Sequence, residues 1–374
     1  MKKVAIITFN RALSHGAVLQ TYALQEYVDG LGCESDIIDY IPPRFRFKNA
    51  LFVQKKKCSK IKKIIRAVPY AISKKNSWDV MNEFNKKYIN NTKKKYYSTQ
   101  VLQELNGKYD VYMTGSDQVW NYKLDEFKYI EPYLLSFCND NSLKVSYAAS
   151  IGADNLDQLY DEKDRYVELL KRYNYISVRE ESAKEILADY NIDSEVVLDP
   201  TLLITADEWK KIAIRKKHKK EYVLIYGLYR NKKLYEAAYE LKRKFDLNII
   251  NVSDNFEIIK GATNITKISA DKLIGLIMDA KFVVTDSFHG MAFSLNFNVP
   301  FFAFPASRGN TRVKGFVKKF QIEDRYIEEW KDYKDYNMNF TDVNSILKIE
   351  RKKSGDILKK MIFTDGSKIH MERY

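Results

Sequence analysis

Cysteine is the rarest residue in this 374-residue sequence. The three cysteines, Cys33, Cys58 and Cys138, are far apart, and none lies in a CxxC pair or has a histidine at metal-ligand spacing. Disulfide frameworks need paired cysteines, and structural zinc sites need clustered ligands. The sequence therefore predicts neither a disulfide scaffold nor a metal site, and it fits a reducing cytoplasm.

Long apolar runs are also missing. No uncharged stretch is long enough to span a bilayer, so we expect any contact with a membrane to be peripheral. The apolar run at residues 4–9 is short and is not followed by a small-residue cleavage site, so we expect a first strand rather than a signal peptide. The expected location is the cytoplasm.

Several motifs that would fix a function are absent. No GxGxxG, GxxxxGK[ST], GxSxG or HExxH occurs where it would be expected, which argues against dinucleotide, P-loop, hydrolase and zincin chemistry. Acidic residues are outnumbered, with 49 Asp and Glu against 63 Lys and Arg, which gives a net charge of +14. This excess indicates acidic partners such as phosphate esters or anionic lipid. Nucleic acid is not expected, because the lysines are scattered and no RNP or helix-turn-helix pattern accompanies them.

The pattern that is present is an alternation of short apolar runs with segments of helical periodicity. Such β-loop-α-β units are typical of parallel sheets, so the predicted fold class is α/β with two Rossmann-like domains. The first domain is predicted at residues 1–205, with a basic helical insertion at about residues 42–100 in place of a sheet layer. The second is predicted at residues 206–374, with a closing C-terminal helix.

Four polar clusters occur where predicted strands end. Because the carboxyl ends of parallel strands meet at one edge, we expect the clusters to lie near one another within a cleft. Arginines supply fork-shaped donors for phosphate or carboxylate, and an aspartate and a histidine supply a base and an acid. The candidate residues are Arg11, His15 and Gly16; Ser116, Asp117 and Gln118; Arg179; Asp286, Ser287 and His289; and, further on, Arg312.

The segment at residues 282–290 is the most informative of the four. It is predicted to be a buried strand that breaks at a polar tetrad and continues as an apolar helix, which places His289 at a helix N-terminus. Such an end attracts anions through its N–H groups and dipole. A second interpretation remains open, in which Asp286 or Ser287 simply caps the helix and His289 is structural.

Structural alternatives also apply to the other clusters. Arg179 could form a surface ion pair with Glu180 or Glu181 instead of binding a ligand. Asp117 could cap the turn after a strand, and His15 could be solvent-exposed in a loop.

Taken together, these segments resemble the polysaccharide pyruvyl transferase family. The similarity runs in order from about residue 4 to about residue 325, and the set is more specific than any one member. The segments are FNRA and HGAVLQTYAL (residues 9–24), TGSDQVWN (114–121), YAAS (147–150), ISVRE (176–180), LDPTLL (198–203) and TDSFHG (285–290).

The resemblance implies a fold similar to GT-B glycosyltransferases, with two domains facing a cleft. It implies transfer of the enolpyruvyl group of phosphoenolpyruvate onto a sugar of a surface polysaccharide such as exopolysaccharide or capsule, or of its lipid-linked precursor, to form a pyruvate ketal. That chemistry needs an acid, a base and cationic groups, but no obligatory cofactor or metal. A lipid-linked acceptor would place the enzyme at the inner face of the membrane. The oligomeric state is left open.

Carried over by motif, His289 would be the acid or the phosphate partner, and Arg179 would hold phosphate or carboxylate. Asp117 is our hypothesis for the base that activates the acceptor hydroxyl. The better-characterised branch of the family has arginine where this chain has Ser287, and Arg312 could replace the missing charge. Two other functions remain open: a nucleotide-sugar glycosyltransferase of GT-B type, and a non-catalytic protein that binds glycan or lipid carrier.

Overall fold

The computed structural model describes residues 1–46, 75–228, 230–253, 258–306, 310–330 and 335–363, with the side chains of residues 310–312 excepted. Cys58 lies outside these ranges, and Cys33 and Cys138 are buried free thiols. The chain divides into two compact units. The first is Met1–Leu203 together with the chain from Glu350, and the second is Ile204–Ile349.

In the described part of the first unit, six strands form one sheet in the order β2-β1-β3-β4-β5-β6. Every neighbouring pair is parallel. The strands are β1 Lys3–Ile7, β2 Glu34–Ile37, β3 Val111–Thr114, β4 Leu143–Ala149, β5 Tyr175–Val178 and β6 Glu195–Val196.

The described strands of the second unit form a five-stranded sheet in the order β11-β10-β7-β8-β9, also parallel throughout. These are β7 Tyr222–Gly227, β8 Asn248–Ser253, β9 Thr263–Ile265, β10 Phe282–Thr285 and β11 Phe301–Ala303. Both α/β units with a parallel sheet are therefore confirmed.

Helices connect the strands, as the parallel order requires. The described α-helices are α1 His15–Gly30, α2 at residues 75–88, α3 Thr99–Leu102, α4 Phe127–Ile130, α5 Lys163–Lys171, α6 Glu181–Ala188, α7 Pro200–Leu203, α8 Ala206–Lys210, α9 Lys232–Phe245, α10 Ala270–Met278, α11 Phe288–Asn296, α12 Asn310–Lys319 and α13 Phe340–Phe363. Short 3-10 turns occur at Pro43–Phe45, Gln103–Leu105, Glu131–Leu134, Asp157–Glu162 and Glu323–Arg325. None of the described helices combines the length and the apolar composition needed to cross a bilayer.

The central strands are apolar because both faces of each sheet are covered. Val4 to Ile7 of β1 and Val283 and Val284 of β10 are fully buried. A strand buried on both faces reads as a continuous apolar run instead of an alternating one. This is the pattern that made β1 and β10 recognisable in the sequence.

The described part of the predicted basic insertion at residues 42–100 contains helix and irregular chain. Residues 47–74 lie outside the described ranges, and α2 confirms a helix in the remainder. The segment after α2, however, lies along the sheet edge, because Asn91 bridges Ile37 and Tyr96 bridges Tyr40 in parallel. These are isolated bridges outside the named strands, so the described part of this region adds no strand to the sheet.

The last helix, α13, corrects the predicted second domain. Its C-terminal part from Glu350 packs in the first unit, not in the second. Within this part of the helix, Ser354 Oγ accepts a hydrogen bond from the Leu198 N–H at 3.0 Å. A side chain at Gly355 would collide with the Tyr27 hydroxyl, so glycine allows the helix to lie against α1. Periodicity revealed the helix, but its packing partner is set by these tertiary contacts.

Candidate functional site

The carboxyl-end edge of the first sheet carries a buried polar cluster. Its members follow β1, β3, β4, β5 and β6 directly, as the parallel topology predicts. They are Thr8, Ser116, Asp117, Ser150, Arg179, Glu180 and Asp199. The predicted convergence at one edge is therefore observed for Ser116, Asp117 and Arg179, whereas Asp286 to His289 follow β10, a strand of the other sheet.

Asp199 is the centre of this cluster. Its Oδ2 accepts from Arg179 Nη1 at 2.9 Å and from Ser116 Oγ at 3.1 Å. Its Oδ1 accepts from both the backbone N–H and the hydroxyl of Thr201, at 3.0 and 2.7 Å. The carboxylate side chain is completely buried, so these donors hold it in one orientation.

Arg179 is enclosed by carboxylates. Its side chain is only 4% exposed, and Glu180 lies 3.7 Å from its Nε. Burial alone would lower the pKa of Arg179, but the charges of Asp199, Glu180 and Asp117 raise it above its usual value. The predicted alternative of an ion pair with Glu180 is correct, although the pair is buried and Asp199 is the closer partner.

Asp117 occupies a strained position next to this cluster. Its backbone has φ 81°, a left-handed conformation that non-glycine residues seldom adopt and that is frequent at functional sites. Its carbonyl accepts from the Ser150 N–H at 2.9 Å, which ties the turn to the end of β4. Its Oδ1 accepts from the Gln118 N–H at 2.7 Å, so the turn-capping role also exists. Asp117 is only partly buried, whereas Asp199 is buried, so Asp117 is the more accessible of the two aspartates.

The Arg11, His15 and Gly16 group is more structural than the sequence suggested. Arg11 binds Asp39 with two guanidinium nitrogens, one of them Nε at 2.6 Å from Oδ1, and it also donates to Asn82. His15 is the first residue of α1 and is 1% exposed, so its predicted exposure in a loop was wrong. Gly16 is likewise buried within α1.

The carboxyl-end edge of the second sheet is built by the passage from β10 into α11. Ser287 is the N-cap of α11, and its Oγ accepts from the Gly290 N–H at 3.4 Å. Thr285 Oγ1 donates to the Tyr226 carbonyl at 2.7 Å and accepts from the Ser287 N–H at 3.0 Å. A Cβ at position 290 would overlap the Thr285 hydroxyl, so Gly290 lets the helix begin directly above the strand. The capping role proposed for Ser287 is therefore observed.

His289 lies in the first turn of α11, where the sequence placed it. It is half-buried, and its ring packs edge-on against Phe288 at 5.3 Å between centroids. Asp286 is buried, and its Oδ1 accepts from the Leu228 N–H at 2.7 Å, which ties the end of β7 to the start of α11. A half-exposed histidine at the positive end of a helix is suited to an anion.

Arg312 lies in the first turn of α12, and its side chain is outside the described part of the structure. Its proposed substitution for a charge at Ser287 therefore stays a prediction. Gln118, the remaining candidate, accepts from Asn121 Nδ2 at 2.7 Å. It lies at the first-sheet edge beside Asp117.

The sequence reasoning missed Asp199 and Ser150 as members of the site. Asp199 follows the apolar run at residues 196–198 and precedes a proline, close to the predicted end of the first domain at residue 205. The signal was nevertheless the same as at the other clusters, a polar residue directly after a predicted strand. Ser150 Oγ donates to Glu180 Oε1 at 2.5 Å and so fixes the second carboxylate beside Arg179.

Comparison with known proteins identifies the family. The family model described as polysaccharide pyruvyl transferase matches residues 15–308, a range that includes Asp117, Arg179, Asp199 and the start of α11. The chain belongs to the polysaccharide pyruvyl transferase family, and it is accordingly a transferase with a polysaccharide acceptor. A search of curated proteins gave no match.

Solved structures with similar chain paths are distant relatives at most. A putative UDP-N-acetylglucosamine 2-epimerase from Listeria monocytogenes is 13% identical with a TM-score of 0.49, and covers 97% of this chain and 92% of its own. The UDP-GlcNAc 2-epimerase from Methanocaldococcus jannaschii is 13% identical with a TM-score of 0.48, and the match covers 96% of this chain and 99% of that enzyme. The UDP-GlcNAc 2-epimerase from Neisseria meningitidis, bound to UDP-GlcNAc, is 10% identical with a TM-score of 0.49, and the match covers 98% of this chain and 96% of that enzyme. Similarities this distant carry no information on the substrate.

Proposed function

We propose that this transferase moves the enolpyruvyl group of phosphoenolpyruvate onto two hydroxyls of a glycan sugar to form a pyruvate ketal. Family membership supports the reaction class. The observation that carries the donor assignment is the N-terminus of α11, where a neutral serine caps the helix and His289 stands in the first turn. No cofactor and no metal is part of the proposal.

The donor is assigned to the second-sheet edge on electrostatic grounds. Phosphoenolpyruvate carries a phosphate and a carboxylate, and a helix N-terminus has a partial positive charge that favours such groups. Asp286 is the carboxylate at this end of the strand, and its Oδ1 is occupied by the Leu228 N–H. His289 would either hold the donor phosphate or deliver a proton to the enol carbon.

The acceptor is assigned to the first-sheet edge. Arg179 is matched there by Asp199, Glu180 and Asp117, so this edge offers no excess positive charge to a phosphate. It does offer carboxylates, which accept hydrogen bonds from sugar hydroxyls. Asp117 would take the proton from the attacking hydroxyl, while Arg179 is a positioning residue that holds the two carboxylates beside it.

The proposed reaction balances without a further reactant. A proton adds to the methylene carbon of the donor and makes a methyl group and a cationic centre at the neighbouring carbon. One sugar hydroxyl adds to that centre, the bond from this carbon to the phosphate oxygen breaks, and a second hydroxyl closes the ring. Of the two hydroxyl protons, one replaces the proton given to the methylene carbon and the other leaves on inorganic phosphate.

Phosphate release tests the proposal. Purified enzyme is incubated with phosphoenolpyruvate and a panel of p-nitrophenyl glycosides, and inorganic phosphate and the ketal product are measured. We expect both to form only when donor and acceptor are present together. If the enzyme instead releases a nucleoside diphosphate from a nucleotide sugar and releases no phosphate from phosphoenolpyruvate, it is a glycosyltransferase.

The variant His289→Ala tests the residue assignment. We expect kcat to fall by about 10²- to 10⁴-fold, the usual contribution of a general acid. His218→Ala is the matched control, because His218 precedes β7 at the opposite end of the same sheet. Unchanged acceptor modification in His289→Ala would remove His289 from the mechanism and favour a non-catalytic helix cap.

A further inference from the structure

The amino-end edge of the second sheet carries a large excess of positive charge. Three connections form this edge: residues 214–221 before β7, residues 242–247, which are the last turn of α9 and the two residues before β8, and residues 279–281 before β10. They contain nine lysines and arginines against three aspartates and glutamates. We call these three connections together the basic edge.

Contacts between the connections show that the basic edge is one surface. Lys220 forms an ion pair with Asp246 at 2.5 Å, and the Asn248 N–H donates to the Glu221 carbonyl at 2.9 Å. Lys281 pairs with Glu221 at 3.3 Å, and Arg215 pairs with Asp279. The connections from three different parts of the sequence are therefore joined side by side.

These same contacts use up all the negative charge of the edge. Asp246, Glu221 and Asp279 are each paired, which leaves six cations over. Within the ranges that the structure describes, none of the six forms an ion pair with a carboxylate, and all are exposed or half-exposed. They are Lys216, Lys217, Lys219, Lys242, Arg243 and Lys244.

Apolar groups lie among these charges. Ile214 is 42% exposed and Phe245 is 36% exposed, and they belong to the first and second connections. A cavity of about 430 Å³ opens between residues 215–218 and Asp279, where it is lined mainly by basic side chains. Lysine clusters combined with exposed apolar side chains are the features by which peripheral proteins bind anionic bilayers.

We propose that the basic edge is a docking surface for a membrane that contains anionic phospholipid. Five of the six cations without a carboxylate partner are lysines, which attract a charged surface without demanding one geometry. Two of them also contact neutral groups, since Lys242 donates to the Gly261 carbonyl and Lys244 lies over the Tyr336 ring. The arginine nearest the cavity, Arg215, is already committed to Asp279. Docking here would leave α11 accessible, because β7 separates the two edges by about 20 Å for six residues. The proposal does not depend on the identity of the donor.

Vesicle binding tests the docking surface. The full chain is sedimented with vesicles of 30% phosphatidylglycerol in phosphatidylcholine and, separately, with phosphatidylcholine alone. We expect binding to the first only, and release in 0.5 M salt, because screening weakens attraction to a charged surface. The variant Lys216→Glu/Lys217→Glu/Lys219→Glu should lower the partition coefficient at least about 100-fold, since each basic residue contributes about fivefold.

A second triple variant provides the matched control. Lys352, Lys353 and Lys359 are exposed on α13 and are free of ion pairs with any described residue. Lys352→Glu/Lys353→Glu/Lys359→Glu changes the net charge by the same amount, and we expect it to keep binding and phosphate release within about twofold. Melting curves of both variants confirm folding.

Three results would overturn the proposal. One is no binding of the wild-type chain to phosphatidylglycerol vesicles. Another is an equal loss of binding in both triple variants, which would reflect net charge alone. The third is binding to soluble polyphosphate, but not to vesicles, with the same dependence on Lys216, Lys217 and Lys219, which would identify a soluble polyanion as the ligand.

Discussion

The carboxyl-end edges of the two sheets handle charge in opposite ways. In the first unit, one guanidinium, that of Arg179, is surrounded by Asp199, Glu180 and Asp117. In the second unit, the part of the edge at the start of α11 has the end of a helix, the neutral cap Ser287 and His289. The edge around Arg179 is acidic, and the start of α11 is better suited to an anion.

This difference teaches that an arginine at a strand end does not by itself indicate a phosphate site. A guanidinium attracts a ligand only to the extent that its charge is not already balanced. Asp199 is completely buried and cannot move into solvent, so it remains the partner of Arg179. The same logic applies to Arg11, which is held by Asp39. We therefore expect both arginines to orient these carboxylates instead of binding the donor.

The largest expected effect concerns Arg179. We expect Arg179→Met to lower the free energy of unfolding by about 3–5 kcal/mol, because Asp199 and Glu180 would be left as buried charges without a cation. Urea denaturation measures this. Arg165→Met is the control, since Arg165 is 45% exposed and pairs with Glu168 at the surface, where about 1 kcal/mol or less is expected. If Arg179→Met kept its stability but had a much higher KM for phosphoenolpyruvate, Arg179 would bind the donor, and the assignment of the donor to the second-sheet edge would be wrong.

The next effect concerns catalysis at the acidic edge. Asp117→Asn should reduce kcat about 100-fold, the lower range for removal of a general base, while the Kd of phosphoenolpyruvate measured by calorimetry stays the same. Asparagine keeps the size of the side chain and tolerates the left-handed backbone at this position. Asp140→Asn is the control, because Asp140 is 90% exposed and precedes β4 at the other end of the sheet. A weaker donor affinity in Asp117→Asn would contradict the division of roles between the two edges.

Much of the fold followed from apolar runs that are buried on both faces. β10 was predicted at the start of residues 282–290 and observed at Phe282–Thr285, and β1 was predicted at residues 4–9 and observed at Lys3–Ile7. β9, Thr263–Ile265, was missed because it is a short edge strand whose residues are exposed or half-buried. The sequence of residues 157–173 on its own predicts one helix, but the structure divides it, since Tyr160 adopts a non-helical φ of 48° before α5 begins.

The site was predictable in position but not in pairing. The rule that parallel strands end at one edge brought Ser116, Asp117 and Arg179 together correctly. It could not show that Asp199, twenty positions after Arg179, is its partner, because a side-chain ion pair depends on tertiary packing that has no local signal. The burial of His15 was missed because α1 begins two residues earlier than its apolar periodicity suggests.

The smallest effects separate the two roles of Ser287, which is both a helix cap and a part of the anion site. Ser287→Ala removes the hydroxyl that accepts from Gly290 and should cost about 1 kcal/mol of stability with little change in donor affinity. Ser287→Asp keeps a cap but places a negative charge at the end of α11, so we expect stability to hold and phosphoenolpyruvate binding to weaken about tenfold. Calorimetry with the donor and urea denaturation measure the two quantities separately.

The matched control for this pair is Asn231→Ala, because Asn231 caps α9 in the same unit by accepting from the Lys233 N–H at 3.1 Å. It should cost about as much stability as Ser287→Ala and leave donor binding unchanged. If Ser287→Asp binds phosphoenolpyruvate as well as the wild type does, the end of α11 is a capped helix only. The second-sheet edge would then not be the anion site. The two edges would still differ in their charged groups, but that difference would not assign the donor to one edge and the acceptor to the other.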